Sequence, residues 1–587
     1  DFPCEDSALF SDSSTPLARL RGDITWLRPQ EICQTPALFP SNINLGHAKQ
    51  GLLGDCWFLC ACTFLLKNKQ LLNKVLPEDQ PEWGDSRYRG SFYFRFWQQG
   101  HWTEVTIDDR LPCINSALCF SRCHSPTAFW VALVEKAYAL HGSYERLWAG
   151  QVSEALVDLT GSLAERWSLG DFGSEEKQQT EQDSDQFRRR RLDLNLLNPV
   201  KDDCALSCST HSTPGLTELD QYHALTVMEW LDVKKVSGGE VRLLRIKNPW
   251  GRRYWGGAWG AGWGSVAPDC ASELQTRVAE GEFWLDEAEF MSQFDDVTVG
   301  YPISEEGYLK SIYTNLLTHS HQLAGRWVNG HSAGGSRNCS SYSSNPKFWL
   351  KVCERGEVLV SLLQHQKWRK TEKYAQTPLV DSNTTKHQHY QAIALHLWKV
   401  EKKRFNLSRM LNKPPRTSTH CHAYEREVVL HGQLEFGYYL LIPSTYQPGA
   451  EARFLIRVFS SSSISLDSEW ETSIFRGSWV EGSTAGGSRN FLSHWQNPCF
   501  PFTVSDDPAV TLGVNVRITL HQSRADTDLL PIGFHIYKPV ASCVPHCYTL
   551  EASLACSLPP GAYTIVPSTY QPDCSANFTL SLARRIQ

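Results

Sequence analysis

Gln50-Gly51-Leu52-Leu53-Gly54-Asp55-Cys56-Trp57 runs directly into Phe58-Leu59-Cys60-Ala61-Cys62-Thr63-Phe64-Leu65-Leu66. A glycine-containing turn thus delivers a cysteine to the first turn of an apolar helix, predicted over residues 56–67. A helix N-terminus carries about half a positive charge in its unpaired N–H groups, which favours thiolate over thiol and lowers a cysteine pKa from about 8.5. The thiolate is the nucleophilic form. Gln50, six residues upstream, could lend its NH2 to a developing oxyanion beside the Cys56 N–H. One cysteine among 19 is by itself better read as a buried inert thiol, so the reading needs a base and an orienting group.

His223 opens the alternating segment His223-Ala224-Leu225-Thr226-Val227-Met228-Glu229-Trp230, and Ser237-Gly238-Gly239 turns it into Val241-Arg242-Leu243-Leu244-Arg245-Ile246-Lys247-Asn248. This predicts a hairpin with roughly ten-residue arms, placing His223 and Asn248 at the same open end. Asn248 then fixes one imidazole nitrogen and leaves the other to face the thiol, the third-group logic of a catalytic triad. Trp250 would lay an indole over that hydrogen bond. A single histidine among 20 is more often surface or core, and the pairing with Asn248 is what raises this one.

Around these segments a second helix is predicted at residues 129–141, and a hairpin at 92–97 and 101–107, turned by Gln98-Gln99-Gly100. The first 300 residues read as α+β. Between Ser168 and Asp203 the chain turns polar, and its run Arg188-Arg189-Arg190-Arg191 reads as a solvated loop.

The second half copies itself. Gly325-Arg326-Trp327-Val328, Ala333-Gly334-Gly335-Ser336-Arg337-Asn338 and Asn345-Pro346 return as Gly477-Ser478-Trp479-Val480, Ala485-Gly486-Gly487-Ser488-Arg489-Asn490 and Asn497-Pro498. Pro443-Ser444-Thr445-Tyr446-Gln447-Pro448 likewise returns at Pro567-Ser568-Thr569-Tyr570-Gln571-Pro572. Alternating segments at 348–352, 392–400, 454–459, 514–520 and 578–582, separated by Gly, Pro and Ser clusters, predict two antiparallel β-sandwiches.

Composition bounds the rest. The chain has 587 residues, 41% hydrophobic and 20% charged, which suits several packed domains and excludes a disordered or collagen-like chain. A net charge of -6 is too mild to point to nucleic acid. The odd cysteine count in a long chain points to reduced thiols and a cytoplasmic setting, so the sequons at Asn338, Asn383, Asn406 and Asn577 carry little weight. The opening Asp1-Phe2-Pro3-Cys4 lacks a signal-peptide pattern and an initiator Met, and further residues are expected before it. No apolar run is long enough for a transmembrane segment. Zinc could be sought at Cys113, Cys119, Cys123 and His124, or at Cys543, His546 and Cys547, but neither set has the paired Cys-x2-Cys form.

Gly54-Asp55-Cys56-Trp57, Asp108-Asp109-Arg110-Leu111-Pro112, Phe129-Trp130 through Glu135-Lys136-Ala137-Tyr138 to Gly142-Ser143-Tyr144-Glu145, Asn248-Pro249-Trp250-Gly251 and Gly281-Glu282-Phe283-Trp284 together resemble the calpain family of intracellular cysteine proteases. The repeated Ala-Gly-Gly-Ser-Arg-Asn elements resemble its β-sandwich, and two sandwiches after a protease core resemble its atypical branch. The resemblance implies an α+β multidomain fold. A two-lobed papain-like cysteine protease core would come first (lobe 1 at 1–160, lobe 2 at 161–300), followed by two tandem C2-like antiparallel β-sandwich domains (301–465 and 466–587). It implies limited proteolysis of protein substrates through an acyl-thioester, with Cys56 as nucleophile, His223 as base, Asn248 as orienter, Gln50 as oxyanion donor, and Trp57 and Trp250 supporting the cleft. A latent scaffold that works through partners on its sandwiches is the rival expectation.

Conventional calpains close the cleft with one calcium per lobe, and here the ligand set is partial. Glu145, Glu280 and Glu282 match family ligands, whereas His47, Arg252, Arg253, Tyr254 and Ala261 stand where acids are usual. A hard cation wants six or more oxygens, several of them carboxylates, so no cofactor is expected to be required and calcium dependence is doubtful. No EF-hand loop occurs, so no small-subunit partner is expected. The sandwich stretch 372–389 has few acids, and Tyr222 before the base stands where conventional calpains have glycine, which would crowd the cleft.

Overall fold

The structure is a computed structural model of the chain. It describes residues 4–10, 15–140, 143–169, 194–210, 223–251, 262–365, 390–401, 407–419, 421–468, 470–504, 515–524, 528–537 and 542–585. The arginine run at 188–191, Tyr222, Arg252, Arg253, Tyr254, Ala261, the stretch 372–389, Asn383 and Asn406 lie outside the described residues.

The first apolar core is built on three helices: α1 (Cys56–Lys67), α2 (Trp130–Ala139) and α3 (Val152–Thr160). α1 is apolar on every face and buried along its length up to Lys67, as expected for a helix threaded through a core. Beside it lies a hairpin of Ser91–Gln98 and His101–Asp108, whose register pairs Gln98 with His101. Gln99 and Gly100 alone make the turn, both at positive φ (47° and 98°). The turn is therefore two residues long where the sequence suggested three, the geometry that matches strand twist. The helix predicted to reach residue 141 stops at Ala139.

The second core is covered by a six-stranded sheet: β1 (Leu163–Ser168), β2 (Ala205–Thr210), β3 (His223–Lys234), β4 (Glu240–Lys247), β5 (Glu282–Asp286) and β6 (Asp296–Tyr301). Their order is β5-β4-β3-β2-β6-β1. β3 and β4 form the expected hairpin, pairing Lys234 with Glu240 across a turn that holds Gly238 and Gly239 at positive φ (88° and 84°). A bulge at Met228 shifts the register. The first residues of β3 are buried, and β3 packs against α1.

Two sandwiches follow. The first pairs a sheet of His319–Trp327, Ala452–Ser460, Gly356–Gln364 and Glu427–Leu434 with one of Thr417–Ser418, Ile393–Val400, Gly437–Thr445, Phe348–Val352 and Ile464–Ser468. In the second, Trp470–Trp479, Ala576–Arg585, Val516–Gln522 and Glu551–Cys556 face Phe500–Val504, Gly561–Thr569, Pro531–Tyr537 and Ser542–Tyr548. The last strand of the first sandwich ends at Ser468, so the sequence boundary at 465 falls inside a strand.

The sequence repeat has a physical basis. Trp327 Nε1 donates to Pro443 O at 3.2 Å, and Trp479 Nε1 to Pro567 O at 3.1 Å. Asn345 Oδ1 accepts from Gly334 N at 3.1 Å, and Asn497 Oδ1 from Gly486 N at the same distance. A Cβ on Gly334 or Gly486 would sit 2.2 or 2.1 Å from a backbone oxygen, so only glycine fits there. Each repeated Trp therefore ties two strands together, and each Gly and Asn-Pro pair closes the loop that follows that Trp.

The first sandwich is tied to the core through buried charge. Arg426 reaches Asp158 on α3 at 2.7 Å, both side chains 3% exposed or less. Arg457 lies over the Trp97 ring, pairs with Glu427 and donates to the carbonyls of Gly161 and Ser162.

Candidate active site

The turn before α1 is set by close approach. A Cβ on Gly51 would fall 2.1 Å from Phe120 O, and one on Gly54 2.7 Å from Trp148 O. Glycine at both positions lets the chain pass under the 119–120 and 148 backbones and place Asp55 as the N-cap of α1, where its carbonyl accepts from Phe58 N and Leu59 N. Cys56 follows at the first helical position. Trp57 is fixed by its Nε1 on Leu147 O at 3.0 Å, and a Cβ on Gly150 would meet its ring at 2.5 Å.

β3 carries the second half of the site to the thiol. Ala224 N–H donates to Cys56 Sγ at 3.4 Å. His223, one residue earlier, meets Asn248 Oδ1 through its Nε2 at 3.2 Å. Asn248 Oδ1 also accepts from Trp250 N at 3.0 Å, so this oxygen faces two donors and Nε2 carries the proton. That tautomer leaves Nδ1 as the basic nitrogen. It is buried and has no hydrogen-bond partner. The Trp250 ring sits 4.3 Å from the imidazole, centroid to centroid. Lys67 Nζ on Met228 O (2.6 Å) and Gln50 N on Pro249 O (2.9 Å) hold the two cores together on either side.

Electrostatics reverse one expectation. Cys56 is 4% exposed, and burial, with the Cys60 thiol next, pushes its own thiol up to about 12 despite the Ala224 and Trp57 N–H groups. Desolvation outweighs the helix N-terminus. Burial likewise pushes His223 down to about 4, against the hydrogen bond to Asn248. The resting pair is neutral thiol and neutral imidazole. Gln50 departs from its expected posture as well: its Nε2 donates to Leu53 O at 2.6 Å, and its buried Oε1 has no partner.

Each of the three glutamates expected at calcium sites, Glu145 in the first lobe and Glu280 and Glu282 in the second, has other partners. Glu145 Oε1 accepts from Thr15 N and Oγ1 at 3.2 and 2.8 Å. Glu280 takes Lys49 Nζ on both oxygens at 2.9 Å and His124 Nε2 at 2.6 Å. Glu282 pairs with Lys247 (3.2 Å) and Arg245. His47 is half-buried and, held by desolvation and by Lys247 at about 4, is neutral. Among the described residues, Glu280 and Glu282 thus already carry ammonium, guanidinium or imidazole partners, and one oxygen of Glu145 is taken by Thr15. Among the described residues no group of three or more His, Cys, Asp or Glu side chains could hold a metal ion.

Sequence reasoning missed the Ala224 N–H on the thiol and the Lys49–Glu280–His124 cluster. The first is a backbone group, invisible in residue identity, and the second joins residues 231 positions apart.

A family model described as calpain family cysteine protease matches residues 1–301, and one described as calpain large subunit, domain III, matches 323–459 and again 475–582. Calpain-10 of Macaca fascicularis is 49% identical over 635 residues, covering all of this chain and 96% of the relative. Calpain-10 of Rattus norvegicus is 48% identical with 100% and 93% coverage. Calpain-8 of Homo sapiens is 32% identical, covering 78% of this chain and 65% of the relative.

Proposed function

Because this chain belongs to the calpain family of cysteine proteases and is a cysteine-type endopeptidase, we propose that Cys56, His223 and Asn248 are its catalytic triad, set in a cleft between two papain-like lobes, and that it cuts protein substrates by limited proteolysis. The observation that carries this reading is the seating of the Cys56 thiol against the Ala224 N–H, one residue from an imidazole already oriented by Asn248.

As substrate enters, His223 Nδ1 takes the Cys56 proton and Sγ attacks the scissile carbonyl carbon. The oxyanion is met by the Cys56 N–H and by the Gln50 amide once that NH2 leaves Leu53 O. Imidazolium returns the proton to the departing amine, leaving an acyl-thioester. Water then gives a proton to Nδ1 and its oxygen to the acyl carbon, and the thiol leaves as the free acid forms. Trp250 keeps water off the His223–Asn248 hydrogen bond, and Trp57 anchors the nucleophile helix. No step is routed through calcium. The experiment is turnover of a fluorogenic peptide library by the chain and by Cys56→Ala, which removes all cleavage with an unchanged melting temperature.

One observation favours a second reading, a latent core acting through partners on its sandwiches. Cys56 is almost sealed, and the Gln50 amide is engaged elsewhere. On that reading Cys56→Ala leaves partner binding and cellular function intact.

A further inference from the structure

The two sandwiches are copies of one design, and they differ at one edge. In the first, the sheet that holds Phe348–Val352 continues to Ile464–Ser468, which pairs antiparallel with it: Phe348 lies opposite Ser468, Leu350 opposite Leu466 and Val352 opposite Ile464. Ile464 and Leu466 enter the core of that sandwich, 6% and 7% exposed, and their strand also packs against His319–Trp327 of the facing sheet. In the second, Phe500–Val504 takes the place of Phe348–Val352 and pairs with Gly561–Thr569 as its counterpart pairs with Gly437–Thr445. Among the described residues no strand lies on its other side.

That edge opens a groove of about 460 Å³ between the sheets, lined by Pro501, Phe502 and Thr503 on one side and by Phe475, Leu582 and Arg584 on the other. The core beneath is less well sealed than in the first copy. Phe502 and Val504 are each 7% exposed where Leu350 and Val352 are at 0%. Backbone groups face the opening too. Pro501 has no N–H to give to Gly561–Thr569, and proline is tolerated within a strand where its nitrogen faces the open side. Strand geometry repeats every two residues, so Thr503 presents its N–H and C=O to that same side. Arg584 Nη1 donates to the Thr503 carbonyl at 3.1 Å. Arg584 alone among the described residues lining the groove is charged. It lies opposite Val516, where the first copy sets Ser460 opposite Val358.

We propose that this groove receives an extended segment of a partner protein, which joins the sheet as an antiparallel strand beside Phe500–Val504, with apolar side chains at alternate positions turned into the groove and an acidic residue that engages Arg584. The first copy carries the pattern of such an occupant in its own chain: Ile464 and Leu466 turn in, while Ser465 and Asp467 turn out. Main-chain hydrogen bonds supply affinity and the alternate side chains supply selectivity. The acid follows from charge. An incoming carboxylate draws the guanidinium off Thr503 O and frees that carbonyl for an incoming N–H. Until then Arg584 over the carbonyl and the missing Pro501 donor shield the edge from indiscriminate pairing. The inference is independent of the protease reading.

The test is fluorescence anisotropy of a labelled peptide with the sequence of residues 462–469, which contains Ile464, Leu466, Asp467 and Glu469, titrated with the full chain. One peptide binds per chain, because the first sandwich already holds this strand. N-methylation of the peptide at Ser465 and Asp467 blocks the amides on the pairing side and weakens binding by about tenfold or more. N-methylation at Leu466, whose amide faces away, leaves it within about twofold. Thr503→Pro weakens binding as the first methylation does, and Arg584→Glu weakens it most at low salt. The methylated peptides need no variant to fold. Absent saturable binding, equal losses from methylation on either side, or unchanged binding in Thr503→Pro would overturn the proposal. Concentration-dependent dimers abolished by Thr503→Pro would assign the edge to a second copy and overturn it as well. Binding is also read in Cys56→Ala, so a failure to cut peptides leaves this inference standing, and a failure to bind this peptide leaves the protease reading standing.

Discussion

The His223 imidazole and the Asn248 side-chain oxygen meet at 3.2 Å across the open end of one hairpin, 25 residues apart in the chain. In the β3–β4 register Thr226 pairs with Lys247, so Asn248 follows the last pair directly, while His223 stands three residues before it on β3, held opposite Thr210 of β2. With the Nε2 proton held by Asn248, Nδ1 is fixed as the base.

His223→Ala therefore lowers kcat by about 10²–10⁴-fold, the usual worth of a positioned general base. Asn248→Ala lowers kcat by less and leaves KM close to unchanged, because it loosens the ring without touching substrate. Steady-state kinetics on one peptide substrate separates the two. Equal KM increases with unchanged kcat would place both residues in binding.

Activity in a chelator stays within about twofold of activity in millimolar calcium. Lys49 already neutralises Glu280, which His124 also hydrogen-bonds, and Lys247 and Arg245 neutralise Glu282. The Lys49–Glu280 pair is itself of small energy, about 0.2–1 kcal/mol, since Glu280 is half exposed. Calorimetric titration with calcium gives no saturable heat if these cations hold the carboxylates.

Asp158→Ala strands the Arg426 guanidinium in a site 3% exposed and costs roughly 3–5 kcal/mol. Replacing both, with Asp158→Leu and Arg426→Met, recovers most of the loss. Thermal unfolding of the three variants checks this, and the recovery distinguishes a buried-charge cost from lost packing.

Stability falls as pH drops from about 6.5 toward 4. Burial lowers His396 to about 3 and His422, His535 and His546 to about 4, below their unfolded value near 6.5. Between those limits the unfolded chain binds more protons, so this contribution is complete above pH 6.5 and is lost on acidification. His396 Nδ1 and His535 Nδ1 are buried without partners. The melting temperature at pH 5 lies below that at pH 7.5, and His396→Phe with His535→Phe narrows the gap.

The helix at Cys56, the His223 hairpin and the sandwich strands were legible because each rests on a local pattern: an unbroken apolar run, alternation closed by Gly238-Gly239, and Trp/Gly/Asn-Pro elements repeated with their inter-strand partners. Ionisation states were not. The helix N-terminus argued for a low Cys56 pKa, but nothing in residues 50–57 reveals that β3 packs over the thiol and removes water from it. Long-range pairs such as Lys49 with Glu280 and Asp158 with Arg426 likewise carry no mark in the sequence around either partner. The Gln50 side chain, expected to face the oxyanion, is held by Leu53 only three residues away, a local contact that side-chain identity could not rank against the catalytic one.

The central claim is that Cys56 is the nucleophile of an assembled triad. The most direct measurement is labelling of the purified chain by a peptidyl epoxide directed at papain-like cysteines, with and without calcium, mapped by mass spectrometry. The account predicts one adduct, on Cys56, formed at the same rate in both conditions and lost in His223→Ala. An unlabelled Cys56, or adducts spread over other cysteines at the same rate, would contradict it.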